Sequence, residues 1–447
     1  MRFGLGVALA AMVSLFICGH AEAQATPRAA PLTAVTVAKL PPPTISDFSA
    51  EKAANAYLAR VSGAARERSD AYFEGKYWLL LLDTFYGLLV AGLVLSLRIS
   101  AKMRSIAQDI TRSRFWQVPI FAVQYLVLAT VATFPLAIYE SFLREHAYGL
   151  SNQSFLAWLG DFGINSGVSL VGTIVVVSLV YVALRRARRS WWLWGAIFAV
   201  IVTAIIIFIS PVFIAPLTNH YQPLKDGPVK TDILRLARAN GIPADNVYEF
   251  DESRQDKKIS ANVSGFLGTT RISLNDNLIK RCDPREIMAV MGHEMGHYVL
   301  DHSALLLTWQ GLLFFVAFAF VNWGFKRLTS VFGGIWDVRS IDDPAGLPLL
   351  LALVSVFFFI ATPVTNTMSR TIEAQADIFG LNAARQADGF ATVTLKLSEY
   401  RKLDPSPFEE FVFYDHPSGR SRISMAMRWK AAHIDDPDIA TGPTSPQ

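Results

Sequence analysis

The sequence predicts an all-α polytopic membrane protein with six spanning helices plus an N-terminal signal or anchor segment. Between the fourth and fifth spans it predicts a small α+β insertion containing a β-hairpin. Three observations carry this. Apolar runs of about the 20 residues a helix needs to cross the hydrocarbon recur along the 447-residue chain. Charged residues are 17% and hydrophobic ones 52%, with mean hydropathy +0.32, against roughly 25% charged in soluble domains. A polar stretch, 218–303, separates the fourth run from the fifth. These figures exclude disorder, collagen and coiled coil, and two cysteines, Cys18 and Cys282, exclude a disulfide scaffold or thiolate metal site. The net charge of +4 sits in short loops beside apolar runs, which is a topology signal and not a nucleic-acid footprint.

Residues 1–23 hold Met1-Arg2, an apolar run from Phe3 to Cys18 and an A-x-A pattern at Ala21-Glu22-Ala23. That reads as a signal peptide or as a first membrane helix. Ile17 before Cys18 excludes a lipoprotein box. Residues 24–77 read as a linker, with Pro41-Pro42-Pro43, followed by an amphipathic helix from about Asp47 to Tyr77. Residues 78–217 form a four-helix membrane region, with runs at 78–97, 117–139, 167–184 and 191–217. In 218–303 a short helix spans Thr231 to Ala239 and stops at Gly241-Ile242-Pro243. A strand follows at Val247–Phe250, then a hairpin of Lys258–Phe266 and Thr270–Leu274 about Gly268-Thr269. A helix starts at Pro284 with Asp283 as its N-cap. Two more membrane runs, 304–323 and 347–365, make up 304–365. A polar helical segment fills 366–433, and 434–447 is expected to fray. Asp83, Gln310 and Asn366 interrupt the apolar runs, as polar groups do when they face a neighbouring helix or a wet interior.

His293-Glu294-Met295-Gly296-His297 is an H-E-x-x-H motif. On a helix, positions i and i+4 share a face, so His293 and His297 can point at one metal while Glu294 reaches a water bound to it. Imidazole suits zinc, and catalytic zinc normally takes a third protein ligand. A metzincin would carry His at 303 and Gly at 300, but Ser303 and Leu300 stand there. Glu373 is the better candidate: it lies in a strongly helical stretch, Arg370 to Asp377, and shares a face with Asp377 at i+4. Asp377 is suited to accept the free N–H of a ligand histidine. The H-E-x-x-H helix leads into the run at 304 and the Glu373 helix leaves the run ending near 365, so two crossings deliver both motifs to one side of the membrane. Charged residues Arg281, Asp283, Asp301 and His302 bracket the motif, which argues against a site buried within a spanning helix.

With these residues in view, the sequence resembles the CAAX prenyl endopeptidase (a-factor-converting) family of integral-membrane zinc metalloproteases, in a bacterial form, and more distantly the HtpX-type membrane proteases. The resemblance rests on H-E-x-x-H at 293–297, on Asn366-x-x-x-Arg370-x-x-Glu373-x-x-x-Asp377, on His416-Pro417 with Arg422-Ile423, and on the order of apolar segments over about 45–430. It implies a gluzincin-like catalytic insertion with one zinc per chain, held by His293, His297 and Glu373, with Glu294 as base. It implies that His416 holds the substrate carbonyl or oxyanion and that Arg370 orders the site. Asn262 and Asn366 become substrate-binding residues, with the strand at Ser260-Ala261-Asn262 pairing with an extended substrate. The family usually continues Asn-Ala-Tyr where this chain has Asn262-Val263-Ser264. A chamber lined by residues such as Asp83 and Gln310 is a further implication. The expected activity is hydrolysis of peptide bonds by a metal-activated water, in processing or quality control of membrane and exported proteins. A proteolytically weak zinc-containing scaffold or chamber protein is the alternative. The implied partners are a peptide or protein substrate and the lipid bilayer, with no nucleic acid.

Arg98, Lys102, Arg104, Arg112 and Arg114 crowd the loop 98–114, and Arg185, Arg186, Arg188 and Arg189 crowd 185–190, whereas 140–166 has Arg144 alone. The positive-inside rule puts the two basic loops in the cytoplasm. The motif segments then face the other side, which for a bacterial inner membrane is the periplasm.

Overall fold

In the computed structural model the described residues are 48–265 and 270–440. The signal or anchor reading of 1–23 and the linker to residue 47 lie outside them, as do the hairpin tip 266–269 and the end of the tail, 441–447. Among the described residues six helical segments are long and apolar enough to cross a membrane: Gly63–Ser96, Arg114–Ala147, Phe155–Arg186, Trp191–Ile209, His302–Trp336 and Pro344–Ala384.

The first helix among the described residues, α1 (Ala50–Leu58), is capped by the Ser49 side chain. The single amphipathic helix expected over 47–77 is in fact broken after Leu58, where Gly63 at φ 58° redirects the chain. Its second half is the start of α2 (Gly63–Ser96), which runs unbroken into the membrane run. The polar start of α2 persists as helix because the C-terminal region covers it: Lys402 Nζ bonds Glu74 at 2.6 Å, and the Ser69 hydroxyl donates to the Ser398 carbonyl. The loop 98–114 likewise holds a helix, α3 (Ile99–Ile110). Its Arg104 is buried and donates from Nη1 to Asp343 Oδ2 at 2.7 Å and to the Asp337 carbonyl at 2.7 Å. Arg98 Nε reaches the Ile335 carbonyl at 2.8 Å, and Arg188 lies 3.6 Å from Asp342. The basic loops and 335–343 therefore share one end of the bundle.

Helix α4 (Arg114–Ile138) continues through a π-helical turn, Tyr139–Leu143, to Ala147. After α5 (Phe155–Arg186) and α6 (Trp191–Ile209) the chain leaves the bundle. At this opposite end Asn152 donates to the Ser253 carbonyl at 2.9 Å. The alternation of ends expected from the charge pattern is thus built into named contacts. Within the spans, Phe121, Tyr125, Tyr181, Phe314 and Phe325 are fully enclosed, while Leu89, Val171, Leu312 and Trp323 point outward, as residues facing lipid do.

The insertion is a four-stranded sheet in the order β1-β2-β4-β3: β1 (Tyr221–Pro223), β2 (Val247–Phe250), β3 (Ala261–Ser264) and β4 (Arg271–Asn275). β1 and β3 run antiparallel to their neighbours and β2 is parallel to β4. The expected hairpin is β3–β4. Helix α7 (Pro228–Ala239) begins three residues before the expected start, with Pro228 in its first turn. After the short helix α8 (Asp276–Arg281), α9 (Pro284–Val299) opens with a full capping box, Asp283 with Glu286. Leu274, Met291 and Met295 are fully buried in the core between this sheet and α9.

Beside the sheet, Glu252 accepts from Asn275 Nδ2 at 2.6 Å. Burial, with Asp256 adding to it, pushes its carboxyl up to about 8. A carboxyl raised on folding binds more protons folded than unfolded, so its contribution to stability is greatest below the ordinary carboxylate range and is lost as pH rises toward 8. Glu252→Gln keeps an acceptor for Asn275 and removes that loss, worth at most about a few kcal/mol. The expected result is a smaller drop in Tm between pH 6 and pH 9 than in the wild type. An unchanged pH slope would assign the dependence to other groups.

The C-terminal third begins with α10 (His302–Trp336). The H-E-x-x-H helix does not run straight into it: α9 ends at Val299, and Asp301 at φ 55° turns the chain before α10 starts. The last span is α11 (Leu347–Ile360) joined at Ala361 to α12 (Thr362–Ala384), which carries Glu373. Helices α13 (Ala387–Leu397), α14 (Pro407–Phe413) and α15 (Gly419–Ala432) close over α9 and α12, and α1 packs on α15. The segment expected to fray is in part tied down: Arg385 Nη2 reaches Asp436 at 2.5 Å and its Nε reaches Asp438 at 2.5 Å.

Candidate metal and catalytic centre

Two helices cross where the site forms. On α9, Gly292 and Gly296 are one turn apart, and on α12 so are Ala376 and Gly380. These small residues let the backbones touch. A Cβ added to Gly380 would lie 2.7 Å from the His293 backbone nitrogen, and one added to Gly296 would lie 3.1 Å from Ala376 Cα. The close approach sets how far Glu373 stands from the two histidines. Gly380→Ala is expected to force the helices apart, costing about 1–3 kcal/mol and lowering bound metal; Tm and metal content read the two effects. Full retention of both would show that the crossing has slack.

The ligand atoms of His293, His297 and Glu373 all lie within 4.8 Å of one another. His293 Nε2 is 3.2 Å from Glu373 Oε2, and His297 Nε2 is 3.6 Å from Glu373 Oε1. The two imidazole Nε2 atoms are 3.1 Å apart. Among the described residues Glu373 Oε2 is buried with no well-aligned hydrogen-bond donor, its nearest neighbours being the imidazole nitrogens of His293 at 3.2 Å and His416 at 3.3 Å. A carboxylate oxygen left so, facing two imidazole nitrogens, fits a bound cation. Two imidazoles and a carboxylate are the donor set of a catalytic zinc site with an open position.

Glu294 is half-buried beside these groups. Burial raises its carboxyl above the usual range, and the neighbouring His293 and His297 imidazoles offset that in part. Burial also opposes charge on His293, yet the carboxylates of Asp377 and Glu373 lift its pKa to about 10. His416 enters from the turn between α14 and α15, its Nε2 3.3 Å from Glu373 Oε2 and its Nδ1 2.9 Å from Asp415 Oδ1.

Behind His293 lies an ion pair. Asp377 is fully buried; its Oδ1 accepts from His293 Nδ1 at 2.7 Å, and Arg422 bridges both carboxylate oxygens, at 2.5 and 2.9 Å. Arg370 Nη1 donates to the carbonyls of Glu410, at 2.7 Å, and of Tyr414, and Asn366 Nδ2 donates to that of Val412 at 2.7 Å. Both side chains therefore hold the segment that ends in His416. For Asn366, expected at the substrate, the amide nitrogen is engaged with the backbone. Asn262 lies on β3, the edge strand packed on α9, paired in register with Ser273, and its Oδ1 accepts from Ser264 at 3.2 Å. Asp83 is half-buried in α2, and Gln310 is buried in α10, its Nε2 without an acceptor among the described residues.

Sequence reading missed two contacts here. Arg422 was visible only as part of a motif, without its bond to Asp377. The ring of His302, buried against His297, carried no signal of its own. The small residues at 292, 296, 376 and 380 were a readable signal of close helix packing.

The chain matches the family model described as Peptidase family M48 over residues 223–430. It matches the model described as CAAX prenyl protease N-terminal, five membrane helices, over 49–220. It is similar to the "Uncharacterized metalloprotease YhfN" of Bacillus subtilis, with 31% identity over 344 residues, 76% of this chain and 79% of that protein. The "CAAX prenyl protease 1 homolog" of Oryza sativa is 26% identical over 383 residues, 81% of this chain and 87% of that protein. Among solved structures, S. mikatae Ste24p shares the fold with a TM-score of 0.70 at 21% identity, over 85% of this chain and 94% of that one.

Proposed function

The chain belongs to peptidase family M48 as a multi-pass membrane metalloprotease, and from this we propose a zinc-dependent endopeptidase with His293, His297 and Glu373 as ligands and Glu294 as general base. The observation that carries the assignment is the convergence of those three ligand groups, whose ligand atoms lie within 4.8 Å of one another. Zinc held there supplies Lewis-acid polarisation of the scissile carbonyl and a water of lowered pKa. Glu294 accepts a proton from the attacking water and returns it to the leaving amine, so that one peptide bond and one water give a carboxylate and an amine. His416 donates from Nε2 to the oxygen on which negative charge develops. Arg370 and Asn366 act on His416 indirectly, by holding the carbonyls of residues 410–414. Asp377 holds His293 with its Nε2 free for the metal. The edge strand β3 offers backbone groups to an extended substrate, with Asn262 beside it.

The basic loops at one end of the bundle support a site on the opposite side of the membrane, the periplasmic side of a bacterial inner membrane. Prenylation is cytosolic, so this orientation favours membrane and exported proteins over prenylated ones as substrates. Labelling of Ser264→Cys only from the cytoplasm would reject it. The activity is tested on purified full-length protein, assayed with an unfolded membrane protein and with a prenylated CAAX peptide, before and after chelation. The expected result is about one zinc per chain, cleavage of the unfolded protein, loss on chelation and recovery on adding zinc. Zinc without cleavage of either substrate would favour a scaffold.

A further inference from the structure

The H-E-x-x-H helix ends at Val299, and the turn at Asp301 folds the next helix back on it. The first residue of that helix, His302, is 1% exposed. Its ring meets that of His297 edge-on, with centroids 5.0 Å apart at 73°. Two like atoms face each other: His302 Nδ1 is 3.0 Å from His297 Nδ1. Behind, His302 Nε2 is 3.2 Å from Gln375 Oε1. Gln375 stands two residues after Glu373 on α12.

Proton counting leaves one consistent arrangement. If His297 offers Nε2 to a metal, that atom is bare and the ring's proton sits on Nδ1. His297 Nδ1–H then donates, and His302 Nδ1 must accept. A neutral His302 that accepts at Nδ1 carries its own proton on Nε2, which finds the one acceptor of the Gln375 amide, its oxygen. Reverse any one of the three and two donors or two acceptors meet in a buried place.

We propose that His302 is a positioning residue for the metal site: it holds His297 in the tautomer that presents Nε2, with Gln375 fixing the tautomer of His302. The inference rests on the zinc-protease reading. Each ligand histidine then has its own support. His293 leans on a charged pair, Asp377 with Arg422. His297 leans on a neutral chain that ends on the same helix as Glu373, so a single hydrogen-bonded path spans from the second ligand to the backbone that carries the third.

His302→Phe keeps an aromatic ring of similar bulk and removes the acceptor. His302→Asn places an amide oxygen close to where Nδ1 sits. Zinc affinity is measured on each purified full-length protein by competition with a chromophoric chelator, alongside Tm of the metal-free forms. The expected result is about 10–100-fold weaker zinc for Phe, recovery to within a few-fold for Asn, and metal-free Tm of both near the wild type. In cobalt-loaded protein, proton NMR should show two exchangeable, strongly shifted imidazole N–H signals in the wild type and one in the Phe variant. Equal zinc affinity for Phe and wild type overturns the proposal, as does an Asn variant that folds but binds as weakly as Phe. If the wild type itself binds no zinc, the protease reading fails first and takes this inference with it.

Discussion

Glu294→Gln is expected to retain its zinc and to lose about 10²–10⁴-fold in kcat, the usual worth of a positioned general base. The substitution changes shape least of all those available. Glutamine fills the same volume on α9, and none of the three proposed ligand groups is touched. What it cannot do is accept a proton, as the Glu294 carboxyl, whose pKa burial raises, can. The loss therefore falls on kcat with little change in KM, the pattern of an interaction made in the transition state. His293→Ala is the contrast, because it removes a proposed ligand and should lose metal and turnover together. The paired measurement is metal content with steady-state cleavage. Near-normal cleavage by Glu294→Gln would place the base elsewhere.

Asp377→Ala should be the most destabilising single change at the site. Asp377 is fully enclosed, and its removal strands the buried Arg422 guanidinium. An uncompensated buried charge costs about 3–5 kcal/mol. The same change frees His293 Nδ1, so zinc should bind about 10–100-fold more weakly. The two effects separate in the double variant Asp377→Ala with Arg422→Leu. Removing both charges should recover most of the lost Tm and none of the zinc affinity. Chelator competition and thermal unfolding read them independently. If the double variant recovered zinc affinity, Asp377 would matter only for folding, and its bond to His293 would be incidental.

The parts of this centre that were legible in advance are those written in local periodicity. His293 with His297, and Glu373 with Asp377, are i and i+4 on two helices, and the spans announce themselves by apolar length. What stayed hidden depends on contacts between distant segments. Arg104 counted in the sequence only as one more positive charge in a loop; its burial against Asp337 and Asp343 needs the other loop to be present. Arg422 and Asp377 are separated by two helices. Asn366 reads as a polar residue at the end of a span whether it faces a substrate or holds the carbonyl of Val412. The polar turns at the start of α2 and along α12 read as helical in the sequence, but their fusion with the neighbouring membrane runs did not, because what covers them follows much later in the chain.

The order in which the centre is threaded has a consequence for the birth of the protein. His293, Glu294 and His297 are made before the last two membrane helices, Glu373 comes only at the end of the second of these, and His416 and Arg422 later still. Throughout most of synthesis and insertion the proposed base is therefore present without the complete set of proposed ligands. On the function proposed above, a hydrolase acting on unfolded chains would meet one first at its own ribosome, and this order would leave its centre incomplete until its own polypeptide has threaded the bilayer.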